Sequence, residues 1–158
     1  EKTVTWLSIW YQGDLVVAQT RERQEWDLAS RTLSGVTGVT KVGKTYSSAA
    51  VDRIAQDSIL SIDPKPHGIY GVDMTYDKKN IPNPTEINIS RFFTTVYFFT
   101  QAGLNMPKIF KDIALYDEFP SLSKKINPLE DGLLWLRQMD REPLLIKENE
   151  ISKLLNKV

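Results

Sequence analysis

The sequence predicts an α+β fold, an antiparallel β-sheet with helices packed on one face. Two observations carry that expectation. Runs with the apolar–polar alternation of half-buried strands come first, and helical periodicity comes later. Strands and helices nowhere alternate in the βαβ rhythm of a parallel sheet. The composition, 41% hydrophobic and 25% charged, suits a packed core, and 158 residues make one domain or one large piece of a bigger one.

Thr3–Tyr11 and Leu15–Trp26 are β-rich runs separated by Gln12-Gly13-Asp14, an antiparallel hairpin signal. Arg21, Arg23 and Glu25 alternate along the second run and so share a face. Ser30–Lys44, dense in Gly, Ser and Thr, reads as a long loop. Ser47 or Ser48 can cap a helix whose apolar stripe is Val51, Ile54, Ala55, Ile59 and Ile62. Asp63-Pro-Lys-Pro-His-Gly68 ends it.

A second hairpin follows, with strands Ile69–Tyr76 and Thr85–Ile89 and a tight turn around Lys79-Asn80. Tyr70, Val72 and Met74 share one face with Ile87 and Ile89; Asp73, Thr75, Glu86 and Asn88 share the other. Asp73 then falls opposite Glu86, and Gly71 opposite Asn88. Beyond it, Phe92–Gln101 reads as a helix with Gly103 near its C-cap, and Met106–Tyr116 as another with Pro107 in its first turn. Glu118–Asp131 is a loop, Gly132–Asp140 and Pro143–Ile146 are short strands, and Glu148–Leu155 is a terminal helix.

Composition excludes several classes of function. Zero net charge offers no basic surface to displace counterions from nucleic acid. With no cysteine there are no disulfides, thiolate zinc sites or cysteine nucleophile. The chain's first residues, Glu-Lys-Thr-Val-Thr-Trp, have neither the basic start nor the apolar stretch of a signal peptide. Its most apolar segment, Phe92–Leu104, is shorter than the ~20 residues of a membrane helix. The expectation is a soluble, cytoplasmic protein with neither nucleic-acid nor membrane partners. Its start directly on a strand implies a piece cut from a longer chain.

Three features invite chemistry. Gly38-Val-Thr-Lys-Val-Gly43-Lys44-Thr45 matches the phosphate-loop pattern letter for letter. No buried strand precedes it, and its three β-branched insertions suit a backbone nest poorly, so a surface loop is the better reading. The lone His67 sits in a turn, with no nucleophile elbow anywhere in the chain. The facing carboxylates of Asp73 and Glu86 are more informative, because like charges opposed across a strand pair are destabilising. A hydrated polar surface would tolerate them; a cation would explain them. With the Asn88 amide they form an all-oxygen donor set suited to Mg²⁺ or Mn²⁺. Arg91 close behind suits a phosphate ligand, and Arg21 and Arg23 can add positive charge to the same cleft.

Asp73, then Glu86-Ile-Asn88 with an arginine close behind, resembles the metal-binding end of the ATP-grasp ligases. The resemblance extends over most of the chain. Glu1 before Thr3-Val-Thr resembles the strand after the adenine hinge, and Gly13-Asp-Leu-Val-Val, Arg21-Glu-Arg23, Ser34-Gly35-Val-Thr-Gly38 and the Ser48–Ile62 helix follow in that family's order. Within the family it resembles the ATP-binding region of the carbamoyl-phosphate synthase large chain and similar carboxylate–amine ligases.

The resemblance implies that residues 1–158 are the C-terminal subdomain of an ATP-grasp domain, the upstream subdomain being absent. It implies an ATP-dependent carboxylate–amine ligase acting through an acyl phosphate, with ATP and Mg²⁺ (or Mn²⁺) as cofactors. The partners would be ATP, a small carboxylate and the missing N-terminal part of the same enzyme. Asp73, Glu86 and Asn88 would hold the metal; Glu1, Asp73 and Glu86 would bind the nucleotide; Arg91, Arg21 and Arg23 would act on the transferring group. Two residues separate Asn88 from Arg91, where many members of that family have one. The alternative is a non-catalytic nucleotide-binding or interaction module with the same fold.

Overall fold

A computed structural model describes residues 2–27, 39–138 and 141–155. Glu1 and the segment Ser34–Gly38 lie outside the described residues. Strands β1 (Thr3–Tyr11) and β2 (Asp14–Asp27) form the expected hairpin. Gln12 and Gly13 both have positive φ, 50° and 99°, the backbone that a two-residue turn needs to match strand twist.

The largest departure from the sequence reading comes next. Val39–Thr45 is a strand, β3, where a loop through Lys44 was expected. Its β-branched residues, poor material for a phosphate nest, are good material for a strand. β3 pairs antiparallel with β2, and Lys44 Nζ lies 3.3 Å from Glu148 Oε1. The phosphate-loop match is therefore a coincidence of letters.

Helix α1 (Ala49–Ile62) is capped by Ser48, whose hydroxyl accepts from the Val51 N–H at 3.5 Å. Val51, Ala55 and Ile59 are buried as expected; Ile62, at the last helical position, is exposed. Strands β4 (Gly68–Tyr76) and β5 (Pro82–Ile89) keep the anticipated register, Gly71 opposite Asn88 and Asp73 opposite Glu86. A bulge between Asp73 and Met74 shifts the pairing nearer the turn. There the Asp77 carboxylate accepts from the Lys79 and Ile81 N–H groups, and Asn80 takes φ 59°.

Only Tyr97–Gln101 of the expected Phe92–Gln101 helix is α-helical; this short element is α2. Helix α3 (Met106–Tyr116) is as expected, with the Asn105 side chain accepting from the Lys108 N–H. Strands β6 (Leu133–Gln138) and β7 (Arg141–Lys147) and helix α4 (Glu148–Leu155) complete the chain.

The seven strands form one antiparallel sheet in the order β5-β4-β1-β2-β3-β6-β7. The α+β class stands, and the helices cover more than the single face anticipated. Even-numbered residues of β1 (Val4, Trp6, Trp10) join Val51, Ala55 and Ile59 of α1 in one core. Odd-numbered Leu7 and Ile9 join Phe98 and Phe99 of α2 and Met106 and Ile113 of α3 in another. Strand alternation puts these cores on opposite faces. Among the described residues, no helix is long and apolar enough to cross a membrane.

Candidate phosphate and metal site

On the α2–α3 face a straight row of paired residues crosses five strands: Glu86, Asp73, Thr5, Arg21, Thr45. Adjacent rows contribute Asn88 with Gly71 and Leu7, and Arg23 with Gly43. Thr5, Arg21, Arg23, Asp73, Asn88 and Arg91 line a cavity of about 220 Å³, together with Thr40, Gly71, Phe93 and Thr94. The glycines matter here. A Cβ on Gly43 would stand 3.2 Å from the Cδ of Arg21, so the glycine leaves the arginine a path that a side chain there would narrow by a few tenths of an ångström.

Arg21 is only 2% exposed. Its guanidinium donates to Thr95 Oγ1 and to Thr5 Oγ1, the latter at 3.3 Å, and lies 4.1 Å over the Phe93 ring. Nε has no hydrogen-bond partner among the described residues. Burial, then the neighbouring charge of Arg23, pulls its pKa down to about 9, with Asp73 opposing. It remains a cation at neutral pH. Arg23 donates to Thr5 Oγ1 at 2.7 Å and to Asp73 Oδ1 at 2.5 Å. Burial lowers its pKa as well, against the pull of Asp73 and then Glu86.

Asp73 Oδ1 also accepts from the Thr5 hydroxyl at 2.6 Å. Arg91 donates to Asn88 Oδ1 and lies 3.7 Å from Glu86 Oε1, both ends of that ion pair being largely exposed. Among the described residues the cavity wall carries three guanidiniums, Arg21, Arg23 and Arg91, and one carboxylate, Asp73, with Glu86 3.7 Å from Arg91 at the edge. Such a wall attracts anions. A buried cation with so little compensating charge is stabilised by a phosphate or carboxylate ligand.

The structure brings Arg21, Arg23, Asp73, Asn88 and Arg91 to one cavity, with Glu86 at its edge beside Arg91. Glu1 lies outside the described residues. Among them no group of three His, Cys, Asp or Glu side chains could hold a metal; the donor set here is two carboxylates and an amide. All three donors are oxygens, the type a hard cation takes; Arg23 now occupies Asp73, and Arg91 lies against Asn88 and Glu86, so a cation would have to share these oxygens with the guanidiniums. His67 stands apart, its Nδ1 accepting from the Gln12 N–H.

Sequence reasoning missed Thr5, Thr40, Phe93 and Thr95. Thr5 had a usable signal, since it alternates in phase with Leu7 and Ile9, but its role follows only from the pairing of β1 with β4.

No protein-family model and no curated protein matches the chain. Solved structures do. An L-amino acid ligase from Bacillus licheniformis is similar over 85% of this chain and 34% of its own, at 12% identity and a TM-score of 0.58. N5-carboxyaminoimidazole synthetase from Staphylococcus aureus, solved in complex with ADP, is similar over 99% of this chain and 49% of its own, at 14% identity and a TM-score of 0.50. Both are ATP-grasp enzymes. At such identities the likeness is one of fold. The chain spans about a third of the first relative and half of the second.

Proposed function

We propose that this domain is the ATP- and Mg²⁺-binding half of an ATP-dependent carboxylate–amine ligase of the carbamoyl-phosphate synthase-like kind, acting through an acyl phosphate. One observation carries the reading: the buried guanidinium of Arg21 in a cavity whose wall, among the described residues, has three arginines and one carboxylate. The fold shared with a ligase and a synthetase supports it.

In the first step a substrate carboxylate oxygen attacks the terminal phosphorus of ATP, and ADP departs with the bonding electron pair. In the second, an amine attacks the acyl carbon and expels phosphate. Arg21 and Arg23, fixed in the floor, stabilise negative charge on the transferring group, and Arg91 at the rim closes on it from the solvent side. Asp73, Glu86 and Asn88 would hold Mg²⁺, which neutralises phosphate oxygens. Arg23 and Arg91 meet these same oxygens, so they balance the donor charge before ligands arrive. No side-chain nucleophile is required, in keeping with a chain that has no cysteine. In this reading Glu1 would contact the nucleotide, and a further part of the same enzyme would supply the other jaw of the cleft.

Glu86→Gln and Asn88→Ala test the assignment in the full-length protein. Each is expected to abolish ligation while leaving the thermal unfolding midpoint nearly unchanged, since both positions are on the outer part of the sheet. Turnover near wild type in either variant would remove that residue from the metal set.

A further inference from the structure

We propose that Thr5 is a positioning residue of this site, its hydroxyl setting the directions in which Arg21, Arg23 and Asp73 face the ligand. The inference rests on the reading of the cavity as a phosphate site. A threonine hydroxyl has one hydrogen to donate and two lone pairs that accept, and its rotation is ordinarily undetermined. Here its partners determine it. A guanidinium only donates and a carboxylate only accepts, so the proton of Thr5 goes to Asp73 Oδ1 at 2.6 Å. Its lone pairs accept from Arg23 at 2.7 Å and from Arg21 at 3.3 Å. All three valences of one buried oxygen are used.

The consequence is mechanical. Arg21 and Arg23 point to the same face and repel each other, and the charge of Arg23 is the second largest influence lowering the pKa of Arg21. The Thr5 oxygen lies against both and holds them together. Because a guanidinium is a rigid plane of donors, two anchors direct the rest: Thr5 supplies the second anchor for Arg21 beside Thr95, and for Arg23 beside Asp73. The same oxygen keeps Asp73 beside Arg23. Strand geometry places it there: Thr5 pairs with Arg21 on one side and Asp73 on the other, at the centre of the row.

Thr5→Val keeps the volume and β-branching and removes only the oxygen; Thr5→Ser restores the oxygen on a smaller side chain. Binding of Mg-ATP to the full-length protein, measured by calorimetry, separates the two. Relative to wild type, Thr5→Val is expected to bind roughly tenfold more weakly and Thr5→Ser within about threefold, the scale of one hydrogen bond to a charged group. Equal weakening in both variants would make Thr5 a packing residue and overturn the proposal. Wild-type affinity in Thr5→Val would overturn it too, leaving the phosphate reading intact. No binding by the wild-type protein would remove the phosphate reading and this inference with it. If Thr5→Val does not fold, Thr5→Ala against Thr5→Ser makes the same comparison.

Discussion

A buried charge without a full counter-charge costs several kcal/mol unless neighbours or a ligand compensate it. Arg21 meets that cost with two threonine hydroxyls and an aromatic face, all neutral. A second polar cluster, near the far end of β4, behaves differently. Lys2 Nζ lies 3.7 Å over the Tyr46 ring and 4.9 Å from that of Tyr76, and the two phenol oxygens are 3.3 Å apart. Burial and then the hydrogen bond to Tyr46 push the Tyr76 pKa up to about 12. Burial alone would raise Tyr46 as well, but the hydrogen bonds from Tyr76 and Lys2 and the charge of Lys2 lower it. Since the folded protein holds the Tyr76 proton more tightly than the unfolded chain, that stabilisation is complete below pH 10. It is lost as pH rises toward 12. Burial and the hydrogen bond to Asp63 raise the pKa of Tyr70 as well, so spectrophotometric titration should show two late-ionising tyrosines, the later of which disappears in Tyr76→Phe. If both late steps survive the substitution, the later one belongs to another of the six tyrosines. At this scale the register of Asp73, Glu86 and Asn88 was legible in the sequence, because a period of two and one short turn fix it. The sequence did not reveal Thr5, whose partner Asp73 is 68 residues away.

Elements were legible where their signals were local. The two hairpins, α1, α3 and α4 follow from alternation, caps and helical period. β3 did not, because glycine, serine and threonine suggest a loop unless the neighbouring strands are known. The helix expected from Phe92 begins at Tyr97; Phe93 instead meets Arg21 with its ring and Thr95 accepts from it. β3 also explains the glycine that imitated a phosphate loop. In Gly43→Ala the new methyl would press on Arg21 Cδ at 3.2 Å and rest on Phe98 at 3.7 Å, forcing the arginine to give by a few tenths of an ångström. The expected result is several-fold weaker Mg-ATP binding by calorimetry, with stability altered by no more than about 1 kcal/mol in urea titration. Unchanged affinity would mean that the site tolerates a displaced Arg21.

At the scale of the molecule, the two faces are tied together by a buried asparagine that no local pattern marked. Asn127 is 3% exposed and sits in the connection between α3 and β6, with φ 49°. Its backbone N–H donates to Ala18 O, and its side-chain oxygen accepts from the Thr20 N–H, both at 2.8 Å. Its amide group donates to both oxygens of Asp52 in the first turn of α1, at 3.0 and 3.1 Å. Trp6 donates to the same carboxylate from the sheet at 2.9 Å. Burial raises the Asp52 pKa; the bonds from Asn127, Trp6 and Thr20 resist that rise, and the charge of Asp131 adds to it. The ionised form is therefore held at some cost to the fold. The stability associated with Asp52 is full below its ordinary pKa and declines as pH rises through the raised one. Asn127→Asp exchanges the amide donors for a second carboxylate against Asp52. At neutral pH the variant should lose roughly 3 kcal/mol, as expected when a buried charge loses its partner. Near pH 4 a proton shared between the two carboxylates relieves the repulsion, so the deficit should shrink. Urea unfolding of wild type and variant at both values measures it, other carboxylates cancelling in the difference. Equal deficits at the two pH values would show that Asn127 acts through its shape and its other bonds, and that Asp52 does not carry the link between α1 and the α3–β6 connection.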